Sequence, residues 1–327
     1  MAAASAAPAW VARAERGTLA AARFGLALYR LLGRRAFQVV LLATTAYFLA
    51  TGRRSREASL AFLRRVAAHP DATPSLGRPP GWRDAFRHSH EFSTHVMDRV
   101  CLWMGALDEL DFAHTGADAL RALEEASARG RGAIFLGSHY GSFDMLRMLA
   151  DRFRVPVSVV MYTANAPVMQ AVTDRLAPGV AMNVIAVAPG SPKATFEIRA
   201  RLERGEVVAI LADRAGPADA ERTVDVDFLG APVRLPRGPF EIALLLRCPL
   251  LVATARRVGD ATYEVGVEPF YDGRAVPRAE RERAVATLAR AFAAHLERLC
   301  LEDPFQWFNF YDYWGDGGAG SPPRSKT

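Results

Sequence analysis

The sequence predicts an α/β fold in which helices cover a mainly parallel central sheet, with an N-terminal helical segment that associates with a membrane. Three observations support this prediction. Short apolar runs alternate with stretches of helical period between residues 117 and 212, as in a parallel sheet connected by helices. The 327-residue chain is 50% hydrophobic, which is enough for one large domain and an appended segment. Its first 65 residues are both basic and apolar, unlike the rest of the chain.

The N-terminal segment accounts for the basic character of the protein. Its first 65 residues contain eleven arginines and two glutamates, a balance of +9 in a chain of net charge +6. An uncharged apolar run at residues 36–50 lies between arginine pairs; as a helix it is about 22 Å long, shorter than the roughly 30 Å hydrocarbon core. We expect it to lie in one leaflet, where it can form a hairpin with residues 19–32 on anionic lipid. The alternative is a pair of ordinary buried helices.

The remaining elements follow from hydrophobic period and from glycine and proline punctuation. Helices with one apolar face are predicted at residues 53–69, 81–104, 117–129, 143–154, 166–176, 192–204, 239–246 and 277–300. Strands are predicted at residues 132–137, 156–161, 183–187, 206–212, 223–228, 232–235, 249–257 and 261–268. The chain therefore divides into membrane-associated helices at 1–70, an α/β domain at 71–315 and a disordered tail at 316–327.

The strand at residues 132–137 leads to the most informative candidate site. His139 lies in the turn after this strand and before a helix that Ser142 can cap, which is where open α/β sheets bind their ligands. Asp144 follows five residues later, and a positive φ at Gly141 would allow it to reach His139. The carboxylate would then fix the imidazole tautomer while the other ring nitrogen takes a proton. The alternative is a chance spacing, since an aspartate is favourable in the first turn of any helix.

Two further polar groups follow later strands. Asp213 and Arg214 come directly after the strand at 206–212, which places them at the same sheet edge as His139. They can organise a pocket or bind an anionic group, and they can equally pair with each other. Arg237 is the charged residue of a turn that opens the helix at 239–246, a natural place to bind phosphate or carboxylate.

The motifs of several functional classes are absent from the sequence. The sequence contains no Gly-x-Ser-x-Gly elbow of a serine hydrolase and no phosphate-binding Gly-x-x-x-x-Gly-Lys loop. Its three cysteines are widely spaced without a Cys-x-x-Cys pair, which predicts neither a disulfide framework nor a zinc site. Nucleic-acid binding is not expected, because the body of the chain is slightly acidic and lacks interleaved basic and aromatic residues.

One further pattern has the spacing of metal ligands. His88, Glu91 and His95 share a helical face, but nothing in the sequence completes a ligand set, so amphipathic packing explains them better. A metal ion is therefore not expected at this helix. The aromatic segment at 305–314 has three interpretations: a cap on the core, the lining of a tunnel for an apolar chain, or a membrane interface.

Four segments, taken in order, resemble the lysophospholipid-acyltransferase-like superfamily, and within it the lauroyl and myristoyl acyltransferases of lipid A biosynthesis and predicted lipid-acyltransferase relatives. His139 and Asp144 match the family's His-x4-Asp/Glu marker. One later block is matched by Asp213-Arg214 together with residues 227–230, and another by the Pro-x-Gly-Pro turn at 236–239. Residues 306–311 are similar to the closing segment of the predicted relatives. The basic and apolar N-terminal segment is similar to the family's membrane anchor. The resemblance implies a glycerolipid-acyltransferase-like fold.

The resemblance also implies an activity. The family moves a fatty acyl group from an acyl thioester, on acyl carrier protein or coenzyme A, to a hydroxyl or amine of a lipid or glycolipid, at the cytoplasmic face of the bacterial inner membrane and without a cofactor. It implies that His139 is the general base and Asp144 its orienting partner. Substrate-binding positions are then Ser138, Gly141, Phe143, Asp213, Arg214, Arg237 and Gly238. Two alternatives stay open: a thioesterase or esterase that uses water as acceptor, and a non-catalytic lipid-binding membrane protein.

Overall fold

A seven-stranded sheet forms the centre of the computed structural model, which describes residues 19–72, 78–103, 110–145, 155–161, 183–186, 193–215 and 222–315. Its strands are β1 (Asp111–Thr115), β2 (Ala133–Gly137), β3 (Val157–Met161), β4 (Asn183–Ala186), β5 (Val207–Leu211), β8 (Leu250–Arg257) and β9 (Thr262–Tyr271). Their order is β1-β9-β8-β2-β5-β3-β4, and each described neighbouring pair is parallel except β8 with β9. The predicted α/β architecture with a mainly parallel sheet is confirmed.

Helices surround this sheet, and a separate hairpin lies beside it. The described helices are α1 (Leu19–Thr51), α2 (Arg53–Ala68), α3 (Trp82–Trp103), α4 (Ala117–Ala128), α5 (Lys193–Glu203), α6 (Gly238–Leu246) and α7 (Arg281–Glu302). The hairpin consists of β6 (Thr223–Phe228) and β7 (Ala231–Pro236), paired antiparallel. Leu229 and Gly230 join these strands with φ values of 49° and 75°, as tight hairpin turns require.

The central strand β2 shows why the sheet is covered on both faces. All five of its residues are buried, which explains the continuous apolar run in the sequence. Because successive side chains point to opposite faces, Ile134 and Leu136 join one core with α7, whereas Ala133 and Phe135 join a second core with Tyr263. Strand β2 is therefore fixed from both sides, and the turn that follows it starts from a rigid position.

The structure departs from the predicted elements in a few places. The two apolar stretches at 19–32 and 36–50 are both helical, and α1 is broken between them at Gly33, where φ is 73° and ψ is 170°. The rings of Tyr29 and Phe37, one on each side of this break, lie 5.8 Å apart, which the rise of a continuous helix would not allow. Strand β1 was not predicted, because it is a short edge strand without a fully buried residue. The helix predicted at 143–154 begins with a 3-10 turn over Phe143–Met145. The rest of that helix and the one predicted at 166–176 lie outside the described residues.

The N-terminal helices pack on the α/β domain through α3. Tyr29 of α1 is buried against Met97 and Cys101 of α3, and Thr45 donates to Ser93 over 3.1 Å. Several large apolar side chains of α1 remain exposed: Leu31, Val39, Leu42, Tyr47 and Phe48. Within the described ranges, no helix has both the length and the hydropathy needed to cross a membrane.

The turn after β2 depends on a glycine. Gly141 has a φ of 67°, and its amide donates to the Gln306 carbonyl over 2.8 Å. A Cβ at this position would lie 2.0 Å from the Ala255 carbonyl oxygen, which belongs to the neighbouring strand β8. Only glycine fits both this backbone conformation and this contact.

We therefore expect Gly141→Ala to destabilise the protein more than Gly230→Ala. Both substitutions place a side chain at positive φ, at a cost of about 1–2 kcal/mol. Gly230 has open space around it, whereas at Gly141 the backbone of β8 would also have to move. Urea unfolding followed by circular dichroism measures both free energies of unfolding. Equal losses for the two variants would contradict this account of the turn.

Candidate functional site

Register in the sheet places His139 beside Asp213. Strands β2 and β5 are parallel neighbours, and their last register pair is Gly137 with Leu211. His139 and Asp213 each follow two residues later, so both side chains lie at the carboxyl edge of the sheet. The prediction that the two residues share one sheet edge is confirmed.

The His139 imidazole contacts the Asp213 carboxylate directly. Nδ1 lies 2.9 Å from Oδ1 and 3.1 Å from Oδ2, and the His139 backbone amide donates to Oδ2 over 3.0 Å. An ionised carboxylate only accepts hydrogen bonds, so Nδ1 carries the proton and Nε2 is the nitrogen that can accept one. Asp213 is fully buried, whereas the His139 side chain is 34% exposed. The imidazole of the pair is therefore accessible from the surface, whereas the carboxylate is not.

The prediction that Asp144 orients His139 was wrong. The Asp144 carboxylate forms an ion pair with Arg99 of α3, with 2.6 Å between Oδ2 and Nε. Backbone bonds fix the turn: Ser142 donates to the Ala255 carbonyl over 2.8 Å, and the chain then enters the 3-10 turn at Phe143–Met145. This path directs Asp144 towards α3. The acid that pairs with the imidazole comes instead from β5.

Electrostatics keep the pair in the charge state that a base needs. Burial alone would raise the pKa of Asp213, but His139 and then Arg214 lower it well below its usual range, so the carboxylate stays ionised. For His139, desolvation and the charge of Arg214 lower the pKa from 6.5, and Asp213 offsets this only in part. The imidazole is therefore neutral at pH 7, with Nε2 able to take a proton.

Arg214 lies at the same sheet edge without forming an ion pair with its neighbour. Its Nη2 donates to the Phe308 carbonyl over 2.7 Å, and its guanidinium lies 5.0 Å from the centre of the Tyr311 ring. Of the two alternatives predicted for Asp213 and Arg214, mutual pairing is therefore not what the structure shows. The arginine instead places a positive charge near His139 and supports the closing segment of the chain.

That closing segment, residues 306–309, holds the turn around His139 from the outside. Tyr140 and Trp307 form an antiparallel bridge, and the Phe308 amide donates to the His139 carbonyl over 2.8 Å. The Trp307 indole Nε1 donates to Asp213 Oδ2 over 3.1 Å, and the Tyr313 hydroxyl donates to the Asp213 carbonyl over 2.6 Å. The interpretation of the aromatic segment as a core cap is confirmed. Sequence reasoning missed the bond from Trp307 to Asp213.

Two buried histidines of α3 have structural partners. His88 contacts the Ser59 hydroxyl through Nδ1 over 2.8 Å and the Trp307 carbonyl through Nε2 over 2.9 Å. Desolvation lowers the pKa of His88 to about 4 and that of His95 to about 3, so both are neutral. In the part of the chain that the structure describes, no cluster of three or more histidine, cysteine or acidic side chains is arranged to hold a metal ion.

The remaining predicted positions fall into two groups. Ser138, Gly141 and Phe143 belong to the turn around His139, and the Phe143 ring lies against Gly137. Arg237 and Gly238 lie at the start of α6, where Glu241 and Glu282 both bind the Arg237 guanidinium. No described hydrogen bond or ion pair joins this second group to His139.

An aromatic wall borders the site on the α3 side. The Phe92 side chain is 42% exposed, and its ring lies 5.3 Å from that of Phe308 and 5.4 Å from that of Phe310. Phe308 is also the residue whose amide binds the His139 carbonyl. Phe308 therefore joins this aromatic wall to the turn that carries His139.

Comparisons with known proteins agree with the motifs. The model of the family described as bacterial lipid A biosynthesis acyltransferase matches residues 96–315. Two curated proteins, both phosphatidylinositol mannoside acyltransferases, come from the CDC 1551 / Oshkosh and H37Rv strains of Mycobacterium tuberculosis. Each is 31% identical over 176 residues, which is 52% of this chain and 49% of the relative. The matched segment thus spans about half the length of each relative.

Substitution of Asp213 and substitution of Asp144 should affect the His139 imidazole differently. Asp213→Asn removes the carboxylate that stabilises the imidazolium, so the pKa of His139 should fall further, and the low-field signal of its Nδ1 proton should disappear. Asp144→Asn should leave that signal in place, because Asp144 binds Arg99. Nuclear magnetic resonance of ¹⁵N-histidine-labelled protein measures both effects. If Asp144→Asn changed the His139 signal more than Asp213→Asn, the assignment of the partner would be wrong.

Proposed function

Because the chain belongs to the bacterial lipid A biosynthesis acyltransferase family, we propose that it transfers a fatty acyl group from an acyl thioester to a hydroxyl or amine of a lipid or glycolipid. The observation that carries the proposal is the contact between His139 and Asp213: a partly exposed neutral imidazole whose Nδ1 lies 2.9 Å from a buried carboxylate. This is the arrangement of a general base with an orienting acid. The donor thiol belongs to acyl carrier protein or to coenzyme A.

In the proposed mechanism, His139 acts twice. Its Nε2 accepts the proton of the acceptor hydroxyl or amine as that atom attacks the thioester carbonyl. The tetrahedral intermediate then collapses, the bond from carbon to sulfur breaks, and the imidazolium returns the proton to the leaving thiolate. Asp213 stabilises the imidazolium between these two steps, so the acyl group passes directly from donor to acceptor without an acyl-enzyme.

Other residues near His139 complete the proposed site. Arg214 is close enough to lower the pKa of His139, so its charge also favours an anionic oxygen at the reacting carbonyl. Ser138, Gly141 and Phe143 border the turn and are proposed to contact substrate. Arg237 is bound by two carboxylates near α6 and is not part of the proposed site.

The proposed acceptor is a membrane glycolipid. The curated relatives are named for acyl transfer to phosphatidylinositol mannoside, a glycosylated phospholipid, and the aromatic wall beside His139 suits the apolar part of such a molecule. A thioesterase would use water instead. Family membership and the apolar approach to His139 favour a lipid acceptor over water.

We further propose that α1 binds the cytoplasmic face of the bacterial inner membrane. Its exposed apolar side chains include Val39, which is 65% exposed, and Tyr47, which is 63% exposed. Such side chains enter the interface between headgroups and acyl chains, while flanking arginines contact anionic lipid. Because α1 packs on α3, which also carries Phe92, the proposed membrane surface and the entrance to the site lie on neighbouring helices.

His139→Ala should lower acyl transfer by roughly 10²- to 10⁴-fold, the usual contribution of a general base. In the parent protein, activity should persist at pH 6.5 and be lost only at lower pH, because the pKa of His139 is lowered from 6.5 and protonation removes the base. The assay combines labelled acyl carrier protein or acyl-coenzyme A with lipid extract and follows the label into lipid. His139→Ala activity within a few-fold of the parent would refute the mechanism. Fast release of free fatty acid, unaffected by added lipid, would favour a thioesterase.

Negative charge introduced among the exposed apolar side chains of α1 should reduce membrane binding. We expect the double variant Val39→Glu and Leu42→Glu to bind vesicles containing phosphatidylglycerol several-fold more weakly than the parent, because each carboxylate would have to leave water. Phe196→Glu is the matched control, since Phe196 is 70% exposed on α5, outside the proposed surface. Co-sedimentation measures the bound fraction. Equal binding by all three proteins would refute the role of α1.

A further inference from the structure

Trp307 occupies an unusual place beside the proposed base. Its side chain is fully buried, and its ring packs at 4.9 Å from Phe62 and 5.2 Å from Phe228. Its indole Nε1 nevertheless points out of this apolar cluster and donates to Asp213 Oδ2 over 3.1 Å. An indole N–H in a core needs a hydrogen-bond partner, but here the partner is the ionised carboxylate that contacts His139.

We propose that Trp307 is a positioning residue for the pair formed by His139 and Asp213, a role that rests on the proposed function. The Asp213 carboxylate accepts hydrogen bonds from three donors: Nδ1 of His139, the His139 backbone amide and the Trp307 indole. Among the described residues, Trp307 is the one side chain other than His139 that donates to this carboxylate. It holds Oδ2 and so leaves Oδ1, the nearer oxygen at 2.9 Å, directed at Nδ1.

Trp307 is itself held from the opposite side. Its carbonyl accepts a hydrogen bond from Nε2 of His88 over 2.9 Å, and Nδ1 of His88 accepts from the Ser59 hydroxyl over 2.8 Å. His88 and Ser59 are both fully buried. A continuous set of buried bonds therefore runs from α2 through α3 and Trp307 to Asp213. The indole is fixed by backbone and side-chain contacts together, as accurate positioning requires.

Loss of the indole N–H has a defined consequence for His139. With one donor fewer, more of the negative charge of Asp213 is available to the imidazolium, so the pKa of His139 should rise. Other charged or titratable groups influence the pair from each packed element, and they remain in place: Arg99 of α3, Arg214 after β5, Cys300 of α7, and Tyr311 and Tyr313 of the closing segment. A change in the titration of His139 then reports the missing bond.

The test uses the full chain labelled with ¹⁵N-histidine. Benzothienylalanine at position 307 keeps the shape of the indole and replaces its N–H by sulfur. We expect it to raise the pKa of His139 by roughly half a unit to one unit, in line with one hydrogen bond to a carboxylate. The matched control carries the same residue at position 314, because Trp314 belongs to the same aromatic cluster but donates to the Phe228 carbonyl. It should leave the pKa of His139 unchanged.

A second measurement needs no change at position 307. In parent protein labelled with ¹⁵N-tryptophan, the indole signal of Trp307 should follow the titration of His139, whereas the signal of Trp314 should not. An unchanged or lowered pKa of His139 in the 307 variant, equal effects at 307 and 314, or a Trp307 signal independent of His139 would each overturn the proposal. These titrations measure no acyl transfer. A fully active His139→Ala variant would instead refute the proposed function and leave the titration result intact.

Discussion

The structure around the proposed site depends on one buried negative charge, the carboxylate of Asp213. A carboxylate that loses all its water is very costly unless it is paired and hydrogen-bonded. Asp213 meets this condition through His139 and Trp307, while the Tyr313 hydroxyl binds its carbonyl and the adjacent Arg214 binds the Phe308 carbonyl. Each of these contacts fixes a different part of the chain, so the end of β5, the turn after β2 and the closing segment are positioned together. The same charge stabilises an imidazolium at His139, which links stability to the proposed chemistry.

The helices before the sheet serve this arrangement from outside. Helix α2 contributes Phe62 to the main core, and α3 contributes His88, which binds Trp307, and Arg99, which binds Asp144. Because α1 packs on α3, a helix proposed to lie on the membrane is connected through α3 to the segment that contacts His139. Such a layout suits an enzyme whose acceptor is part of a bilayer, since binding to the surface and access to His139 involve adjacent elements.

Much of the fold and part of the site could be predicted from the sequence. Apolar runs and their punctuation located β2 and β5, and the rule for strand ends placed His139 and Asp213 at one edge. The sequence could not show that β2 and β5 are neighbours, because strand order depends on the whole fold. Proximity in sequence therefore favoured Asp144 over Asp213. The role of Trp307 could not be predicted, since an aromatic residue in an apolar segment usually belongs to the core. Its hydrogen bond to Asp213 joins residues that are distant in the sequence and is visible only in the folded structure.

The central claim is that His139 and Asp213 work as one unit, and a double-mutant cycle on acyl transfer tests it most directly. The rates of the parent, His139→Ala, Asp213→Asn and the double variant are compared in one assay. Since Asp213 is proposed to act on the chemical step through the imidazole, the double variant should be no slower than His139→Ala alone when all four proteins are folded. If the two single losses instead multiplied in the double variant, the residues would act independently and the account would be contradicted.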